Sequence, residues 1–189
     1  MSVWSFVSDF GNFFVGGVTA GVVFAWMWSQ LGRTLAVVFA VCFACGSAAV
    51  LGLKLVAGAV APPLHQASML QFSTGAPSGH AAVATIVYGS IAATILSVDR
   101  RPAALLGVLA CILMIGVVCV TRVTLNKHTI ADVLAGFLLA GLDVAAFALA
   151  LKRRPVGRPI PTTGLLLMAT AAAALALASG VRLNSDQFI

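Results

Sequence analysis

Thr121-Arg122-Val123-Thr124-Leu125-Asn126-Lys127-His128-Thr129-Ile130-Ala131-Asp132 interrupts a chain that is Val, Leu, Ala, Ile and Gly for long distances on either side. An arginine, a lysine, a histidine and an aspartate arrive together here. Ionisable groups at a membrane boundary are costly and mark working sites by default. The stretch therefore predicts a site at the edge of a bilayer, with the flanking apolar runs as spans. Composition agrees: the 189 residues are 61% hydrophobic and 8% charged, with a mean hydropathy of +1.08. Soluble domains carry about a quarter charged residues. At roughly twenty apolar residues per span, the chain has room for about six spans. The expected fold is all-α, a polytopic membrane helix bundle in a single domain over residues 1–189.

Working outward, residues 103–120 form the span before the stretch, and a helix over 129–151 follows it. Further spans are expected at 11–28, 34–53, 77–98 and 163–181, with Lys54 standing where the second leaves the hydrocarbon. Residues 1–10 carry Trp4, Phe6 and Phe10 and read as an interfacial segment. Gly17 and Gly21 have the small-xxx-small spacing that admits a neighbouring helix. Residues 55–76 read as a loop in which Pro62-Pro63 blocks a helix. Its Met69, Leu70 and Phe72 are expected to cover the top of the bundle rather than enter lipid. Cys42, Cys45, Cys111 and Cys119 lie in apolar runs and read as small buried hydrophobes. The first 32 residues hold no Lys or Arg, so no cleavable signal peptide is expected.

The net charge of +6 sits mainly in short connectors, without a basic face, which argues against nucleic acid as a partner. With alternating spans, Arg33, Arg100, Arg101, Lys152, Arg153, Arg154 and Arg158 share one side, which the positive-inside rule makes cytoplasmic. Lys54, Pro77–His80 and Arg122–Asp132 then meet on the outer face.

The chemistry of these clusters is specific. His128 and Asp132 are four residues apart at a helix start, so a carboxylate there can accept from one ring nitrogen and leave the other as nucleophile or base. Arg122, in the connector, offers a planar fork for phosphate oxygens. Pro77-Ser78-Gly79-His80 opens a helix whose first N–H groups form an anion site. The blander alternatives are an interfacial ion pair anchoring a helix end and an ordinary helix cap. Asp143 lies three helical turns below Asp132 on the same face, with Gly136 and Ala140 between.

These residues resemble the type 2 phosphatidic acid phosphatases (PAP2), whose relatives include the vanadium haloperoxidases and glucose-6-phosphatase. Their pattern is Lys, six residues, Arg-Pro; then Pro-Ser-Gly-His; then Ser-Arg, five residues, His, three residues, Asp. Pro77–His80 matches the second motif in full, and Thr121, Arg122, His128 and Asp132 match the third with Thr for Ser. The first matches in part: Lys54 is followed by six residues and then Ala61-Pro62, so the arginine is missing. The resemblance covers about residues 54–136. It implies a PAP2/haloperoxidase-like core in which His128 attacks phosphorus and Asp132 orients it. His80 protonates the leaving alkoxide, while Lys54, Ser78, Gly79 and Arg122 hold the phosphoryl oxygens. Lys127, beside the nucleophile, is a candidate to replace the missing cation. No metal and no cofactor is implied.

The function expected from this resemblance is a lipid phosphatase of the bacterial inner membrane, with its site facing the periplasm and membrane lipids around it. Candidate substrates are isoprenyl diphosphates, phosphatidic acid, phosphatidylglycerol phosphate and lipid A phosphates. The alternatives are a phosphotransferase using the same phosphohistidine, and a non-catalytic transporter or scaffold.

Overall fold

The apolar runs fold as helices that end where proline, glycine or charge stops them. The structure, a computed structural model, describes residues 3–99, 101–154 and 160–181. Among these residues the helices are α1 (Val3–Ser8), α2 (Phe13–Gln30), α3 (Arg33–Val60), α4 (Gly79–Val98), α5 (Ala104–Thr124), α6 (Ile130–Arg153) and α7 (Thr163–Ala178). A 3-10 turn over Asp9–Gly11 joins α1 to α2. Helices α2 to α6 are long and apolar enough to cross a membrane. The expected sixth span is the 16-residue α7, about 24 Å long and short of a hydrocarbon core of about 30 Å.

Helix α4 is the hub. In its span 72% of residues are buried, against 28% in α3 and α5 and 22% in α6. Small residues all round let neighbours approach: a Cβ on Gly16 of α2 would strike Val83. Thr85 and Thr94 satisfy their hydroxyls on carbonyls one turn back, Ala81 and Ser90. Helices α3, α5 and α6 pack on α4 with one face and expose leucines and valines on the other, including Leu106, Leu138 and Leu142. Such outward faces suit lipid as solvent.

Several expectations need correcting. Helix α3 runs seven residues past Leu53, so Lys54 lies inside it, buried at 1% exposure. The helix stops at Ala61, which turns extended (φ −89°, ψ 154°) because the following proline disfavours helical geometry. Gly17 and Gly21 meet nothing within 4 Å; the helix contact falls to Gly16. Of the four cysteines only Cys111 is buried, and Cys45 is exposed. Met69, Leu70 and Phe72 are also exposed, Leu70 at 83%, so they do not cover the bundle. Asp143 packs on Gly46 of α3, where no side chain fits between the helices, since a Cβ would strike its carboxylate and Ile86.

The two ends of the bundle differ. At one, Asp99 accepts bonds from Arg101 Nη2 (2.6 Å) and from the backbone N–H and hydroxyl of Thr162 (both 2.9 Å), tying the α4–α5 turn to the start of α7. Arg100 and Arg158, both assigned to this end by charge, lie outside the described residues. The Arg101 guanidinium, with the Thr162 N–H, holds the Asp99 carboxyl well below the usual carboxylate range. A depressed pKa contributes stability above the unfolded value, about 3.9, that is lost as pH falls below it. In detergent, Asp99→Asn should unfold at a lower temperature than wild type at pH 7. That gap should close as pH drops below about 4; a gap constant with pH would refute the clamp.

Candidate active site

At the other end, the α5–α6 connector, the α3–α4 loop and the starts of α4 and α6 converge. Helix α5 stops in a Schellman arrangement. Asn126 takes the left-handed conformation (φ 51°), its N–H bonds to Val123 O (2.9 Å) and the Lys127 N–H to Arg122 O (3.0 Å). Asparagine tolerates that conformation, which most side chains avoid. The same Arg122 carbonyl accepts from the His128 N–H (3.2 Å). Arg122 thus anchors the turn that carries the histidine. It lies in the last turn of α5, not in the connector.

Thr129 then caps α6. Its hydroxyl accepts from the Asp132 N–H and its own N–H donates to Asp132 Oδ2, each at 3.1 Å. This reciprocal capping box explains the spacing: Asp132 is the third residue of the helix, and His128 stands just before the cap. His128 is therefore not on the helix, as the four-residue spacing suggested. The pair still meets, with His128 Nδ1 3.5 Å from Asp132 Oδ2, longer than a direct hydrogen bond.

The Ser78 N–H donates to the Asp132 carbonyl (2.9 Å), which joins the start of α4 to that of α6. Gly136, one turn along α6, lies against Ser78 so closely that a Cβ would strike its carbonyl. Ser78 is the N-cap residue of α4, yet its hydroxyl is buried and has no hydrogen-bond partner among the described residues. An unsatisfied buried hydroxyl is costly. Gly136→Ala would push this backbone by enough to misplace the site. Turnover should fall by on the order of 10²-fold, while overpacking costs about 1–3 kcal/mol of stability. Wild-type kcat in this variant would refute the contact.

Of the residues singled out by sequence, Lys54, Ser78, His80, Arg122, His128 and Asp132 are buried. Burying cations costs several kcal/mol each unless an anion answers them. Lys127 is exposed, unlike this set. Leu53, beside Lys54, shares an apolar cleft of about 430 Å³ with Pro77 and Ala135, which sets this turn of α3 level with the starts of α4 and α6. Ala61, where the arginine is missing, also lines that cleft.

Two contributions were not visible in the sequence. Arg122 Nη1 donates to the Ser8 hydroxyl (2.9 Å), so α1 packs on the site rather than only at an interface. Ser73, 59 residues before Asp132, holds its carboxylate through the backbone N–H (Oδ1, 2.9 Å) and the hydroxyl (Oδ2, 2.5 Å). No sequence motif marks either serine. Among the described residues, no group of three or more His, Cys, Asp or Glu side chains is placed to hold a metal ion.

No curated protein and no solved structure matches the chain. The PAP2 superfamily model, however, matches residues 34–156. That range holds α3 to α6 and with them Lys54, the Pro77–His80 helix start, Arg122, His128 and Asp132, the same elements that build this end of the bundle. The match spans more than half of the sequence, and the chain belongs to the PAP2 superfamily.

Proposed function

We propose that the protein is a membrane phosphatase that hydrolyses a lipid phosphate through a phosphohistidine on His128. Family membership supports a phosphatase acting on phosphate esters, and the apolar helices support a membrane protein. The observation that carries the finer reading is the placement of His128 Nδ1 beside Asp132 Oδ2, at the end where Lys54, Ser78, His80 and Arg122 are buried. That placement aims Nε2 away from the carboxylate, as a nucleophile requires.

In the proposed reaction Nε2 attacks phosphorus, and the bond to the leaving oxygen breaks. His80 gives that oxygen a proton. Asp132 stabilises the positive charge that develops on His128. Lys54, Arg122, the Ser78 hydroxyl and the Gly79 N–H take the charge building on the phosphoryl oxygens, and the start of α4 adds its dipole. Water then cleaves the P–N bond and returns His128 to its starting state.

The cleft beside Pro77 favours a lipid over a soluble ester. It is mostly apolar, and Val56 and Val60 on its α3 wall are exposed. A chain attached to phosphate can lie there and remain in contact with lipid. The positive-inside distribution supports a site on the outer face, where isoprenyl diphosphates, phosphatidic acid, phosphatidylglycerol phosphate and lipid A phosphates are the candidate substrates. The test is phosphate release from this panel in detergent, wild type against His128→Ala, with and without EDTA. Release by wild type alone, indifferent to EDTA, is the expected result. Equal release by both proteins, or none from any substrate, overturns the reading.

A further inference from the structure

The α3–α4 loop is bound to the nucleophile's neighbourhood at several points. The Ala131 N–H donates to Met69 O (3.2 Å), and the Thr74 N–H donates to Pro62 O (3.0 Å), which closes the loop on itself. Between these, Ser73 is fully buried and bonds to both oxygens of Asp132. Two residues on, Gly75 lies against the imidazole, and a Cβ there would come within 3.2 Å of His128 Cε1. The loop is thus one wall of the nucleophile's cradle.

Asp132 Oδ2 is the oxygen that faces His128 Nδ1, and it also receives the Ser73 hydroxyl and the Thr129 N–H. The Thr129 bond belongs to the helix cap and holds the carboxylate from one side only. Rotation about the Cβ–Cγ bond of Asp132 would carry Oδ2 away from the imidazole. Only the paired bonds from Ser73, one to each oxygen, fix both ends of the carboxylate at once. The hydroxyl bond also takes part of the charge on Oδ2, which keeps the carboxylate an acceptor rather than a base.

We propose that Ser73 is a positioning residue of the active site, setting through Asp132 the ring orientation and tautomer of His128. This rests on the phosphohistidine reading, and it assigns a role in the reaction to a loop residue that lies outside all three motifs. Ser73 touches no reacting atom; it acts through the carboxylate. Supporting partners of this kind change rates by about 10- to 100-fold when removed.

The test compares turnover of a lipid phosphate hydrolysed by wild type and not by His128→Ala. Ser73→Ala should lower kcat by about 10- to 100-fold and leave KM close to wild type, with a lower unfolding temperature because the Gly75 N–H loses its acceptor. Ser73→Cys keeps a donor, a weaker and bulkier one, so its kcat should fall between the two. In an Asp132→Ala background, Ser73→Ala should cost nothing more, because the group it acts through is gone. Wild-type kcat in Ser73→Ala, or in Ser73→Cys should the alanine variant not fold, overturns the proposal. So do losses that simply add in the double variant. If wild type and His128→Ala do not differ, it is the phosphohistidine reading that falls.

Discussion

His128→Ala is expected to abolish phosphate release, with a loss on the order of 10⁶-fold in kcat, the scale seen when a nucleophile that acts as part of a unit is removed. The remaining groups would still bind phosphate, so KM should change far less than kcat. The variant should fold: His128 lies outside the helices, and its backbone N–H bond to Arg122 O does not need the side chain. Quenched wild-type reactions should contain an acid-labile phosphoprotein that His128→Ala lacks. A variant retaining more than about one hundredth of the rate would show that another group attacks phosphorus.

Asp132→Asn comes next, with an expected fall of about 10³- to 10⁴-fold, as for an orienting aspartate whose amide fixes the wrong tautomer. Here the loss has a second source. Both carboxylate oxygens accept: Oδ1 from the Ser73 N–H, Oδ2 from the Ser73 hydroxyl and the Thr129 N–H. An amide has one oxygen, so its NH₂ must face a backbone N–H in either orientation. Leaving such a donor buried and unmet costs about 1–3 kcal/mol. Asp132→Asn should therefore lower the unfolding temperature as well as kcat, unlike His128→Ala. Equal stability of the two variants would show that the bonds to the Asp132 carboxylate do not hold the start of α6.

The chemistry-bearing residues were legible because each is expensive where it stands. Arg122, His128 and Asp132 interrupt apolar runs, and no packing need explains them. Spacing was a poorer guide to how they meet. Four residues suggested one helix face, whereas His128 precedes the cap and reaches Asp132 because a Schellman turn and a capping box bend the chain back. Asn126 and Thr129 carry that geometry, and both types are frequent in plain turns. Helix ends were misjudged where charge was taken as a boundary. Lys54 is buried inside α3, which runs on to Val60, so its charge does not mark where the helix ends.

By itself, the sequence determined the all-helical membrane architecture, through the length of its apolar runs, and the family and candidate chemistry, through three motifs in order. Tertiary structure alone decided what surrounds them: Ser73 on Asp132, Ser8 on Arg122, Gly136 against Ser78 and α4 as the central helix. The physical reason is that a motif records residues whose chemistry is rare. A serine that supports one of them from 59 positions away is like any other serine until the helices bring the two together.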